Sequence, residues 1–387
     1  MYKFDKIIKG DYMTYLDYSA TTPVNEDVLK TFVETSRKYI GNPNSLHKLG
    51  VDANNLIEAA TKQIAKLLNV KEKEVIYTSG SSESNNMAIK GIAFKYQNRG
   101  KHIITTEFEH SSIYGPLTYL QKQGFKVDFV KCDEKGIVDL EDLENLLTDE
   151  TILVSICAVN SEIGIVQPLD KIAEIIKKYP KCFFHVDMTQ ALGKIKVNLD
   201  NIDLASFSAH KIYGIKGIGL LYKKENIVLE PLIHGGKSTT VYRSGTPATA
   251  LIASISKAMR LILENIDDNY SYIDKLNSRL KKELGKYPDV YINSNEYCIP
   301  NILNISVVGI KPETMLHALE KYDIYISTQT ACSTGTVSKS VYALTKDEER
   351  AKSSIRISLS HLTKQEEIDY FLSKFDMCYK ELKLWKE

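Results

Sequence analysis

The stretch FFHVDMTQALGKIKVNLDNIDLASFSAHKIYG, residues 183–214, decides the fold. It holds two short apolar runs, FFHVD (183–187) and LASFS (204–208), each released into a polar loop. Four similar runs precede them: VIYT (75–78), HIIT (102–105), VDFV (127–130) and ILVSICAV (152–159), separated by longer amphipathic segments. Buried strands alternating with helical segments are the signature of a mostly parallel sheet with helices on both faces, so the predicted fold class is α/β. In such sheets ligands bind beyond the carboxyl ends of the strands. The loops TSGSSESNN, TEFEHSS, NSEIG, MTQALG and AHKIYG are therefore where chemistry is expected.

Past Ala250 the texture changes. Ile252, Ile255, Met259, Ile262 and Ile266 recur at helical spacing, and a second helix with Ile273, Leu276, Leu280 and Leu284 is stopped by Gly285 and Pro288. A strand (302–307), a helix (about 313–322) and another strand (355–359) follow. Thr363 with Glu366 reads as a capping box opening a last helix that turns Ile368, Phe371, Phe375 and Cys378 inward. The expected organisation is a large α/β domain over 15–250 and a smaller α+β domain over 251–387, joined by 1–14.

The 387 residues suffice for two to three domains at roughly 150 residues each. With 50 Lys and Arg against 49 Asp and Glu, the net charge of +1 offers no footprint for a polyanion, so direct nucleic-acid binding is not expected. Six dilute cysteines, none in a C-x-x-C pair, suit reduced thiols in a cytoplasm, and Cys and His never cluster as a metal site requires. The first residues have no apolar signal-peptide core and the longest apolar stretch is too short for a bilayer, so neither export nor a membrane anchor is expected.

SFSAHKIYG places Ser208, His210 and Lys211 directly after a buried strand. A lone lysine there is usually a solvated cap. Here, however, Asp187 and Gln190 end a neighbouring strand, and TSGSSESNN supplies a small-residue turn opening a helix. A lysine for a Schiff base, a carboxylate for a pyridinium nitrogen and helix N-terminal N–H groups for a phosphate are what pyridoxal 5'-phosphate needs.

At these residues the sequence resembles the cysteine desulfurases of the NifS and IscS type, in the class V group of fold type I pyridoxal-phosphate enzymes. The resemblance runs through YLDYSATTPV (15–24), GNPNSLHKLG (41–50), YTSGSSESNN (77–86), EH (109–110), VNSEIG (159–164), HVDMTQALGK (185–194), SFSAHKIYGIKGIG (206–219), YRSGT (242–246), TAC (330–332) and SSIRIS (353–358). It implies that Lys211 forms the Schiff base and later shuttles protons, that His110 stacks on the pyridine ring, that Asp187 pairs with its nitrogen and that Gln190 meets the phenolic oxygen. It further implies that Ser81, Ser82, Ser208 and His210 hold the phosphate, joined by Thr246 from a second subunit, hence a homodimer with shared active sites.

Arg356 also has a reading of its own. In IRISL, Ile355, Ile357 and Leu359 take one strand face and turn Arg356 to the other, where the plain reading is a surface arginine. A rigid guanidinium fork suits an amino-acid carboxylate, and the resemblance favours that role. Cys332 lies in STQTACSTGTVSKS, a polar stretch without helical or strand periodicity, where the family keeps its persulfide-forming cysteine. The other five cysteines read as incidental thiols. Ser161 stands where the family has an asparagine touching cofactor and substrate, and GGKSTTVYRSGT (235–246) and STQTAC also depart from the family pattern.

The implied reaction turns L-cysteine into L-alanine and an enzyme persulfide, whose sulfur passes to an acceptor protein, an iron-sulfur scaffold or a tRNA-thiolation enzyme. The alternatives are another class V pyridoxal-phosphate enzyme, such as an aminotransferase, selenocysteine lyase or β-lyase, and a degenerate non-catalytic sulfur-transfer partner.

Overall fold

All six runs are strands in the computed structural model, which describes residues 13–328 and 337–384. In chain order the described residues form β1 (Thr14–Tyr15), α1 (Glu26–Lys38), α2 (Lys48–Leu68), β2 (Val75–Thr78), α3 (Ser81–Tyr96), β3 (His102–Thr105), α4 (Ser111–Gln121), β4 (Lys126–Phe129), α5 (Leu140–Leu146), β5 (Thr151–Cys157), α6 (Leu169–Ile176), β6 (Phe183–Asp187), β7 (Leu204–Ser208) and β8 (Gly219–Lys223). There follow α7 (Thr249–Leu263), α8 (Ile266–Leu284), β9 (Val290–Ile292), β10 (Ile302–Val307), α9 (Pro312–Glu320), β11 (Ile324–Tyr325), α10 (Lys339–Thr345), α11 (Glu348–Lys352), β12 (Ser354–Ser358) and α12 (Gln365–Leu384).

Two compact units emerge, one of residues 21–161 and 165–268, the other of the described residues among 1–20, 162–164 and 269–387. The division expected near residue 250 falls instead at 268/269. The physical reason is α7, whose Ile252, Ile255, Met259 and Ile262 are buried in a helix that packs on α1 and α2 of the first unit.

In the larger unit a seven-stranded sheet runs β2-β8-β7-β6-β5-β3-β4. From β7 to β4 every neighbouring pair is parallel, as the α/β reading expects. β8 is antiparallel to both β7 and β2. It escaped the sequence reading because it opens on glycines rather than on a β-branched run. Gly219 is required there: a Cβ would lie 2.5 Å from the Phe207 carbonyl oxygen and 2.6 Å from Gly80 Cα, so only a bare backbone lets the exits of β2 and β7 close on β8. The core beneath α3 and α4 is aliphatic, with Met87, Ile89, Ile92, Ile113, Leu117 and Ile103 all buried. Burying each such side chain stabilises the fold by about 1.5–3 kcal/mol.

The smaller unit has an antiparallel sheet in the order β12-β10-β9 and a parallel pair β1-β11. Leu276, Leu280 and Leu284 of α8 and Ile368, Phe371 and Phe375 of α12 share a core with Leu303, Ile305, Ile355 and Ile357. The capping box predicted from Thr363 and Glu366 at the head of α12 is replaced by half of one, a residue later. Thr363 Oγ1 accepts the Ser360 N–H (3.1 Å), and Glu367 reaches back to the Lys364 N–H (2.7 Å). No described helix is long and apolar enough to cross a membrane.

Candidate active site

Asp187 ends β6, in register with Cys157 of β5 and Ser206 of β7. Its side chain is buried, with Oδ2 accepting from Asn85 Nδ2 (2.8 Å) and Oδ1 from the Thr189 N–H (2.9 Å). Both donors are neutral, so they fix the carboxylate without cancelling its charge. The sequence reading missed Asn85. Its one signal was position, four residues after Ser81 and so on the same face of α3.

His110 caps α4, its Nδ1 accepting the Ser112 N–H (3.2 Å) and lying 2.8 Å from Ser112 Oγ. Burial pulls the imidazole below its ordinary value, while Asp187 draws it up and Lys211 down. His110 thus lies within the fields of both Asp187 and Lys211. Beside His110, the buried Glu109 accepts from the Cys157 N–H (2.9 Å) and the Thr106 hydroxyl (2.8 Å), and burial pushes its carboxyl up to about 8. Burial thus favours the protonated form of Glu109, and the neighbouring Asp187 adds to that preference.

Ser208 ends β7, and one 3-10 turn, Ala209–Lys211, carries His210 and Lys211. Thr22 staples this turn: its N–H (2.9 Å) and hydroxyl (3.0 Å) donate to the His210 carbonyl, and its Oγ1 accepts the Tyr213 N–H (2.8 Å) where Tyr213 adopts a φ of +62°. Burial and the neighbouring lysines push His210 down to about 4, so its ring is neutral, with Nδ1 3.2 Å from Thr21 Oγ1.

The sixteen-residue α3 opens on Ser81 and Ser82 with no side-chain cap on its first turn. Its first N–H groups have no acceptor within the helix. Gly80, at a φ of +155°, precedes them, and a Cβ there would come 3.6 Å from Ser208 Oγ, which brings the end of β7 to the head of α3. The one acid of that turn, Glu83, accepts from Arg243 Nε (3.0 Å) and the Ser79 N–H (2.7 Å), which outweigh burial and hold it below the usual carboxylate range.

Gln190 is buried, its Oε1 accepting from Lys194 Nζ. Thr246, expected from a second subunit, lines a cleft of its own chain with Thr78, Ser79, Ser238 and Arg243. Ser161 is half-buried on the loop after β5, where Val159 bridges Val166 and the Asn160 N–H reaches the Ile165 carbonyl (2.9 Å). Next to it, Asn160 is buried and its Nδ2 donates to the Phe108 carbonyl (2.8 Å).

In the smaller unit Arg356 is not on the surface: it is 1% exposed, and its Nη2 donates to Asp17 Oδ1 at 2.8 Å. The Arg356 N–H and carbonyl bond reciprocally to the backbone of Ser327 (2.7 and 3.1 Å). Cys332 lies outside the described residues. Burial raises the thiols of Cys157, Cys182, Cys298 and Cys378, that of Cys298 to about 12.

Residues 14–371 match the family described as Aminotransferase class-V. A NifS/IcsS protein homolog of Lactobacillus delbrueckii subsp. bulgaricus is 42% identical over 95% of this chain and 97% of its own length. The cysteine desulfurase IscS of Clostridium botulinum is 37% identical over 96% and 97% of the two chains. Among solved structures, a NifS-like protein superposes with a TM-score of 0.91 at 37% identity, covering 95% of this chain and 99% of its own.

Proposed function

We propose that this chain, which belongs to the Aminotransferase class-V family and within it to the NifS/IscS cysteine desulfurases, holds pyridoxal 5'-phosphate in its larger unit and uses it to take sulfur from L-cysteine. The observation that carries this reading is the Asp187 carboxylate, buried and gripped by two neutral donors, beside a His110 that feels both Asp187 and Lys211. The larger unit fits the cofactor. It offers a buried anion for a ring nitrogen, an Asn85 Oδ1 beside it with no partner among the described residues, an uncapped helix N-terminus with Ser208 alongside, and an amine at Lys211. When bound, the cofactor supplies an electron sink for the substrate carbon that gives up its proton.

The chain's residues then divide the work. Asp187 would hold the ring nitrogen positive, and a neutral His110 would stack without adding a second cation. Gln190 would meet the phenolic oxygen, and Ser81, Ser82, Ser208 and His210 the phosphate, with Thr246 reaching across from the second copy of a homodimer. Lys211 would hold the cofactor covalently and move the α-proton. Arg356 would grip the substrate carboxylate, with Ser161 near it. The Cys332 thiolate would attack the substrate sulfur: the Cβ–Sγ bond breaks, an S–S bond forms, and Cβ keeps the electron pair and takes a proton, so alanine leaves and no external oxidant is needed. The persulfide sulfur would pass to an acceptor protein, an iron-sulfur scaffold or a tRNA-thiolation enzyme, in the cytoplasm.

The test is a profile of amino acids with alanine and sulfide detected together. Cysteine alone should give both in the presence of a reducing thiol. Cys332→Ala should keep the cofactor colour and form no persulfide; alanine made at the wild-type rate by that variant would instead favour a lyase.

A further inference from the structure

Asn85 stands between two residues that the reaction would use together. Its Nδ2 donates to Asp187 Oδ2 and to Ser112 Oγ, both at 2.8 Å, and Ser112 Oγ lies 2.8 Å from His110 Nδ1. The Asn85 side chain is fully buried on α3, and its partners come from β6 and from the head of α4. The direction of this chain of hydrogen bonds follows from one charge. Only the NH2 side of the amide can face an ionised carboxylate, because the reverse orientation sets Oδ1 against Asp187. The second N–H then points at Ser112 Oγ, which must accept it, so the hydroxyl proton turns to His110 Nδ1. That nitrogen also receives the Ser112 backbone N–H at 3.2 Å. It is an acceptor twice over, and a neutral ring must carry its proton on Nε2.

We propose that Asn85 is a positioning residue that, through Ser112, makes the charge on Asp187 select the tautomer of His110. His110 then presents a single donor, Nε2–H. The importance of this for turnover rests on the reading of Asp187 and His110 as cofactor neighbours, but the hydrogen-bond chain is a property of the protein's own side chains.

The test is nitrogen NMR on full-length protein carrying labelled histidine, as purified and after removal of the cofactor, with His110 assigned through His110→Gln. The wild type should show Nδ1 unprotonated and Nε2 protonated. Asn85→Ala and Ser112→Ala should each move the tautomer ratio about tenfold toward Nδ1–H, the share of one hydrogen bond. Ser112→Thr, which keeps the hydroxyl, should restore it, and the Ser112 pair decides the matter should Asn85→Ala not fold. An unchanged tautomer in Ser112→Ala would mean that the backbone N–H suffices and would overturn the proposal, as would a wild type protonated on Nδ1. Cofactor binding, followed by visible absorption, separately tests the reading of the site. A protein that shows the tautomer pattern yet binds no pyridoxal phosphate retires that reading and leaves this one standing.

Discussion

Asp187 in the larger unit and Arg356 in the smaller are both buried charges on strands, and they are held in opposite ways. Two neutral donors grip Asp187, whereas Arg356 has a counter-charge, Asp17, at 2.8 Å. A carboxylate held by dipoles keeps its full field for an incoming cation. A guanidinium held by a carboxylate is neutralised as a pair. The larger unit thus holds its buried charge with dipoles, and the smaller holds its own with a counter-charge.

Removing the counter-charge should give the largest effect. Asp17→Ala removes the carboxylate that faces a buried guanidinium and is expected to cost about 4 kcal/mol in urea unfolding, whereas Asn85→Ala, which removes one neutral donor, should cost about 2 kcal/mol. Equal losses would erase the distinction between the two regions.

Glu109 sharpens the same contrast, since a second anion beside Asp187 would make the larger unit's charge harder to hold. Folding raises the Glu109 carboxyl from 4.5 to about 8. Its contribution to stability is therefore fully present below pH 4.5 and is lost as the pH rises through 8. Glu109→Gln removes that loss, so its advantage over the wild type should grow from pH 5 to pH 8, to on the order of 3 kcal/mol. A gap that stays flat with pH would mean Glu109 is ionised in the folded protein and Asp187 is not alone.

The smallest effect is expected at Ser161, the last residue of its segment before the chain passes to 162–164 of the smaller unit. A serine hydroxyl is shorter than an asparagine amide and has one rotatable proton. Restoring one direct hydrogen bond to a charged group should raise kcat/KM for cysteine about tenfold in Ser161→Asn, while Ser161→Ala changes little. A slower Ser161→Asn would show a loop rebuilt around the serine.

What could be read from the sequence was local. The runs at 75–78, 102–105, 183–187 and 204–208 became strands with those bounds because β-branched and aromatic residues between polar loops leave few other choices. β8 was hidden by its glycines. The capping box did not form as a pair because Thr363 Oγ1 is engaged by the Ser360 N–H, a competition invisible in a four-residue pattern, and Glu367 instead meets the Lys364 N–H. For Arg356 the residues alone offered a surface arginine and only the resemblance favoured another role, because strand alternation says which face a side chain takes, not what covers that face; its partner Asp17 is 339 residues away. Asn85 was silent for the same reason, with partners 27 and 102 residues off.

The raised thiols of Cys157, Cys182, Cys298 and Cys378 bear on how sulfur could be followed in this protein. Alkylating reagents consume thiolates, and at neutral pH these four groups hold their protons. Brief labelling of the native protein should therefore find them dark, and only denaturation should light them up. The same protection keeps mobile sulfane sulfur from straying onto them, so a mass shift acquired during turnover can be traced once half-exposed Cys132 alone has been mutated away.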